Sequence, residues 1–234
     1  MKLILLLISI SISFSTQINP ERIRKSKSEY LIHTRRGEKL VYMTLLTREI
    51  DHVRFNNRDC LRIVQIYEKT DGADYDTCYV DITTLKPVAY RALVYGHQRE
   101  TFDFKNGRMS GRVFWPDSID TQFDDPLPDA TYNSVMSLEI LQALDFESQS
   151  SYRFDMFNPG KGGIFAFEYQ LTGEKTVEFN GVRINCLIID GKSFFNDKER
   201  TAGTYYLEKG TGRLVKHIYP FPNNAGLYTK TRIL

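Results

Sequence analysis

The stretch TFDFKNGRMSGRV, Thr101 to Val113, constrains the fold more than any other part of this chain. Asn-Gly is the preferred pair for a two-residue type I′ turn, because both central residues need positive φ. Folding at Asn106-Gly107 sets Phe104 opposite Met109 and Phe102 opposite Gly111, and it places Asp103, Lys105, Arg108, Ser110 and Arg112 on the other face. One face is dry and the other wet, as in an antiparallel sheet covered on one side only.

The same grammar recurs from about Leu40 onward, with turns at Asp71-Gly72, Asn180-Gly181 and Lys209 to Gly212. Pairing Phe179 with Val182 aligns Val177 with Ile184 and Lys175 with Cys186, leaving Glu178 across from Arg183. The run GIFAFEYQL places Phe165, Phe167, Tyr169 and Leu171 together. The two Asn-Gly hairpins are expected to turn their apolar sides to one interior.

One segment argues for helix. In NSVMSLEILQALDF, residues Val135, Leu138, Leu141 and Leu144, with Met136 and Ile140 beside them, form a stripe at three- and four-residue spacing. Asn133 is a suitable N-cap. The Pro-containing acidic run before it reads as a loop that delivers the helix to the sheet. The expected architecture is mainly β: a curved antiparallel sheet of about 11 strands, an open half-barrel with one helix across its concave face.

At the amino terminus Lys2 precedes an apolar run from Leu3 to Phe14, and Ser13 and Ser15 precede a plausible cut. These are the parts of a secretory signal peptide over residues 1–15. Twelve helical residues rise only about 18 Å, short of the roughly 30 Å hydrocarbon core, so the mature chain is expected to lack a transmembrane segment. Residues 16–39 read as an N-terminal basic segment whose run ERIRKSK forms a solvated tail. Residues 40–234 then form one domain, within the size a single β barrel reaches.

Removing the leader takes Lys2 and no acid, lowering the net charge from +2 to +1. Such a balance argues against nucleic acid as a partner. Three cysteines remain, Cys60, Cys78 and Cys186. An Asp71-Gly72 turn pairs Leu61 with Ile82, Ile63 with Val80 and Gln65 with Cys78, which puts Cys60 and Cys78 on opposite faces. Free, packed thiols are the reading this register favours.

No constellation for catalysis is visible. His33, His52, His97 and His217 lie in separate segments. The NPGKGG loop lacks the Ser or Thr and the following helix of a phosphate loop. Asp124 and Asp125 sit in a Pro-rich loop where carboxylates stay solvated. Trp115, before Pro116, reads as packing over a sheet edge or guarding a pocket mouth. No enzyme activity, metal or cofactor is expected.

Taken in order, the leader, YVDITTLKPVAYRA, FDFKNGRMSG, EILQALDF, TGEKTVEFNG and YLEKGTGRLVKH resemble a family of periplasmic proteins of unknown function, itself similar to the lipoprotein carriers LolA and LolB. The resemblance spans roughly Leu40 to Leu234. It implies a periplasmic or secreted protein with an unclosed barrel whose apolar concavity holds acyl chains, and a lipid or lipoprotein as partner. No carrier motif transfers residue by residue, and one helix is fewer than the carriers use. The residues expected to line such a cavity are Phe102, Phe104, Met109, Phe165, Phe167 and Tyr169. The alternative is an envelope structural or protein-interaction module with a helix-filled core and no ligand.

Overall fold

In the computed structural model, the residues described are 18–70, 72–94, 98–114, 120–159, 163–179, 181–221 and 225–233. The proposed leader, Trp115, His97 and parts of the loops at 158–163 and 222–226 lie outside them, as do Asp71 and Asn180.

Alternating sequence and tight turns produce fifteen strands among the described residues, where about eleven were expected. In chain order they begin β1 (Ser26–Arg36), β2 (Lys39–Phe55), β3 (Arg58–Lys69), β4 (Gly72–Asp81) and β5 (Pro87–Val94). They continue β6 (Gln98–Lys105), β7 (Arg108–Phe114), β8 (Thr121–Pro126), β9 (Thr131–Asn133) and β10 (Ser151–Asn158). The last are β11 (Gly163–Phe179), β12 (Val182–Phe195), β13 (Lys198–Glu208), β14 (Leu214–Pro220) and β15 (Leu227–Ile233). The extra strands come partly from turns the Asn-Gly rule does not flag: Asn56-Asn57 and Asn196-Asp197 occupy positive φ at 50° to 61°. Asn and Asp tolerate that region through local hydrogen bonding.

All fifteen join one sheet, in the order β8-β7-β6-β5-β4-β3-β2-β1-β15-β14-β13-β12-β11-β10-β9. Neighbours are antiparallel except β9 and β10, which run parallel. The sheet does not close by hydrogen bonds, yet it wraps well past a half-barrel. β6 and β10 are eleven places apart, about 53 Å on a flat sheet at ~4.8 Å per strand. Nevertheless the rings of Phe102 on β6 and Phe157 on β10 lie 5.3 Å apart. The two edge strands, β8 and β9, are consecutive in the chain, and residues 127–130 join them.

β1 lies within residues 16–39 and sits at the centre of the sheet between β2 and β15. Ahead of it, Pro20–Arg22 form a 3₁₀ turn capped by the Asn19 side chain, and Ile23 is buried. The basic run is thus docked, not a free tail.

The helix α1 is only Ser137–Ala143, preceded by a 3₁₀ turn at Ser134–Met136. The Asn133 side chain caps that turn, accepting from the Val135 amide at 2.9 Å. At the other end the orphan carbonyls find partners in the docked N-terminal segment. The Asn19 amide donates to Ala143 O at 3.0 Å, and Arg22 Nη1 donates to Leu144 O at 2.6 Å. A cation there also suits the helix dipole. The buried side of the helix is Met136, Glu139, Ile140 and Leu141 through Leu144, whereas Val135 and Leu138 are half-buried. The helix is therefore enclosed more completely than a one-sided stripe implies.

Turn predictions fared differently. The Asn106-Gly107 hairpin has the expected register, with Phe104 against Met109 and Phe102 against Gly111, and both turn residues are at positive φ. In the β3–β4 hairpin Lys69 pairs with Gly72, so the register is two residues from that expected: Ile63 meets Cys78 and Gln65 meets Asp76. A two-residue slip keeps every side chain on its face, so Cys60 and Cys78 remain on opposite faces. All three cysteines are free and buried.

The Asn180-Gly181 hairpin has the expected pairing but the other orientation. A bulge at Thr172, between Leu171 and Gly173, shifts the register by one residue and exchanges the faces. Leu171 and Ile189 point to the main core, while Ile184, Cys186 and Val215 form a small separate cluster with Val177 and Tyr206.

Candidate functional site

The inward face can be followed strand by strand, and its two halves differ. Around α1 it is sealed: Tyr90, Phe102, Phe104, Met109, Ile140, Met156 and Phe157 are all buried. Toward the β1–β2 turn the inward side chains are Tyr67, Asp76, Tyr205, His217, Tyr219, Tyr228 and Lys230, and none is fully buried.

Arg48 on β2 separates these halves. Its guanidinium, 4% exposed, is held by Glu139 of the helix, 3% exposed, with Nη2 at 2.8 and 2.5 Å from the two carboxylate oxygens. It also donates to Val135 O at 3.1 Å and to Gln65 Oε1. Gln65 passes the network on, donating to Asp76 Oδ1 at 3.0 Å and accepting from the Tyr67 hydroxyl at 3.2 Å. Desolvation works against the Arg48 charge, but Glu139 beside it more than offsets this and holds the group above its ordinary value. The sequence reading missed Arg48 and Glu139. Glu139 falls within the predicted helix, but nothing local shows that it turns inward.

Beyond Arg48 the rings form a ladder. Tyr169 meets Tyr205 edge-on at 5.8 Å, Tyr205 stacks on His217 at 3.9 Å, and Tyr219 stacks on Tyr228 at 4.7 Å. Gly191 and Gly203, paired across β12 and β13, let those rings lie against the backbone. A Cβ at Gly191 would stand 2.6 Å from the Tyr205 ring, and one at Gly203 would stand 2.9 Å from His217 Nε2. A recess of about 130 Å³ opens beside them, lined by Phe167, Tyr169, Tyr205, His217 and Tyr219. At ~30 Å³ per water it holds about four water-sized groups, enough for a ring or chain end but not a whole lipid.

The titratable groups here are strongly perturbed. Burial pushes Lys230 down to about 7; Arg48 adds to this, while Glu139 and Asp76 oppose it. Burial raises Asp76 to about 7 against the pull of Arg48 and the Gln65 hydrogen bond. Burial, aided by Lys230, lowers His217 to about 3, so its ring is neutral at physiological pH. Burial also raises Glu100.

The six residues singled out from sequence divide between the two halves. Phe102, Phe104 and Met109 come together in the sealed part, with both phenylalanines edge-on to Phe157 at 5.3 and 5.8 Å. Gly111 makes no room for a ligand, since a Cβ there would collide with Phe102 and the Thr101 carbonyl. Phe165 is buried and stacks on Phe195 at 4.8 Å. Phe167 and Tyr169 line the recess, and the Tyr169 hydroxyl is buried without a hydrogen-bond partner.

A larger cleft of about 1310 Å³ lies at the opposite end, between residues 18–25 and the turn at Ile82-Thr83. It is lined mostly by the solvated N-terminal segment and carries no ring ladder. Among the described residues no His, Cys, Asp and Glu group of three or more is placed to hold a metal, and no helix is long and apolar enough to cross a membrane.

Residues 29–224 match the family described as a protein of unknown function, DUF3108. The chain belongs to DUF3108. No curated protein matches it. Among solved structures, the hypothetical lipoprotein YmcC from Escherichia coli (K12) is similar over 87% of this chain and 86% of that one, with 7% identity and a TM-score of 0.33.

Proposed function

We propose that this DUF3108 member is a non-enzymatic cell-envelope protein, carrier-like in the manner of LolA and LolB, that holds a lipid or other apolar ligand against the tyrosine-lined part of its inner wall. The observation that supports this reading is the contrast along one face. The helix half of the interior is packed shut, while seven aromatic and ionisable side chains of the other half point inward and stay partly uncovered. Aromatic walls with a few polar groups are the usual lining of ligand sites. At about 25 cal/mol per Å², burying a few hundred Å² of acyl chain there contributes several kcal/mol. The site is therefore placed at Phe167, Tyr169 and the ladder beyond them, rather than at Phe102, Phe104 and Met109.

A second reading, an interaction module, draws on the β1–β2 hairpin, where Leu40, Val41, Tyr42 and Met43 are 44–60% exposed. Native mass spectrometry of protein purified from its own envelope, with lipid extraction, separates the two. An apolar adduct that is lost on Gly203→Leu supports the carrier reading. A clean apo mass, with no stabilisation by fatty acids or phospholipids, favours the interaction module.

A further inference from the structure

We infer that Lys230 is an anion-recognition group, and that the ligand of this interior is an amphiphile with an anionic head, a carboxylate or a phosphate. The inference rests on the reading of the tyrosine-lined wall as a ligand site, and it names the chemistry of that ligand.

Lys230 lies on the inward face of β15, opposite His217 on one side and Ile32 on the other. Its ammonium has three donors to satisfy. Among the described residues it makes no hydrogen bond or ion pair. The other inward cations differ in this respect: Arg48 is closed by Glu139, and Arg232 by Glu208 at 3.1 Å. Lys230 is thus the inner-wall cation that the protein leaves without an acceptor.

Beside the neutral His217 ring, its surroundings are mostly donors. The Tyr228 and Tyr219 rings stack next to it along the same two strands, with their hydroxyls free to donate. The buried Tyr169 hydroxyl has no partner of its own. Asp76 is engaged by Gln65, and with burial raising it to about 7 its protonated fraction supplies a further donor. A wall rich in donors and led by an ammonium fits an acceptor-rich head. The Tyr205–His217 stack gives the attached chain an apolar track.

The test uses the purified protein and three probes with the same sixteen-carbon chain: palmitate, hexadecyl phosphate and hexadecanol. Isothermal titration should show at least one of the two anions binding about tenfold or more tighter than the alcohol, the scale of a hydrogen bond to a charged group. Which anion leads identifies the head. Lys230→Met should erase that preference, weakening the anions far more than hexadecanol, and Lys230→Arg should retain it. Equal binding of alcohol and anions by the wild type, or a preference that survives in Lys230→Met, overturns the inference and leaves the ligand site standing. Failure of all three probes to bind the wild type overturns both.

Discussion

Replacing Glu139 with alanine tests how the helix is held inside the barrel. The substitution removes the carboxylate 2.5–2.8 Å from the Arg48 guanidinium and leaves a charge that is 4% exposed. Two unit charges at 4 Å attract by about 4 kcal/mol at an effective dielectric constant of 20. Breaking a buried pair by removing one partner typically costs about 3–5 kcal/mol. Arg48 keeps two acceptors in the variant, Val135 O and Gln65 Oε1, so the lower end, about 3 kcal/mol, applies. For a chain of this size each kcal/mol moves Tm by about 2–4 °C, giving a fall of about 6–12 °C. Urea unfolding followed by circular dichroism measures both the loss and the m-value, which should stay constant. The double variant Arg48→Met with Glu139→Met should recover most of the loss, because a buried pair and a well-packed apolar pair are often equivalent. A loss below about 1 kcal/mol for Glu139→Ala, or a double variant worse than the single, would refute the argument.

Other outcomes follow from the same structure. Phe104→Asp should lose about 3–5 kcal/mol, the cost of deleting a buried ring, whereas Asp103→Ala, whose exposed ion pair with Arg91 spans 2.6 Å, should lose less than about 1 kcal/mol; thermal melts that rank them the other way would mean the hairpin is inside out. Asp76 has a folded-state value raised to about 7, so its contribution is present at low pH and is lost as pH rises through about 7. Asp76→Asn should therefore gain more Tm relative to wild type at pH 8, where the contribution is gone, than at pH 5, where its loss has only begun above the ordinary value of 3.8, and parallel Tm–pH curves would contradict this. Cys60, Cys78 and Cys186 are at most 1% exposed and free. A thiol reagent should label none of them in the native protein and all three after denaturation, and rapid native labelling would count against their burial.

The β character, the Asn106-Gly107 register and the Asn133 cap were legible because each rests on local rules: alternation, positive φ and side-chain capping. The face of the Asn180-Gly181 hairpin was not, since one bulged residue at Thr172 inverts every side chain beyond it without altering the alternation. The strand count fell short where Asn-Asn and Asn-Asp turns replaced Asn-Gly. Phe102 proved to be core because Phe157 and Phe123, distant in sequence, return to cover it. The tyrosine wall draws on β3, β13, β14 and β15, and only the wrapping of the sheet brings those strands to one interior. No single stretch of sequence could display it.

The strand order also carries a consequence for assembly. From β1 to β8, and again from β10 to β15, each strand pairs with its predecessor, so each arm of the sheet can grow as a simple meander while the other is still unmade. The long-range join between the arms is β1 with β15, the eighth and ninth strands in the spatial order. Losing the last strand would not fray a border; it would part the wall down its middle and leave two half-shells joined through residues 127–130, the helix and the packing of Phe102 and Phe104 on Phe157.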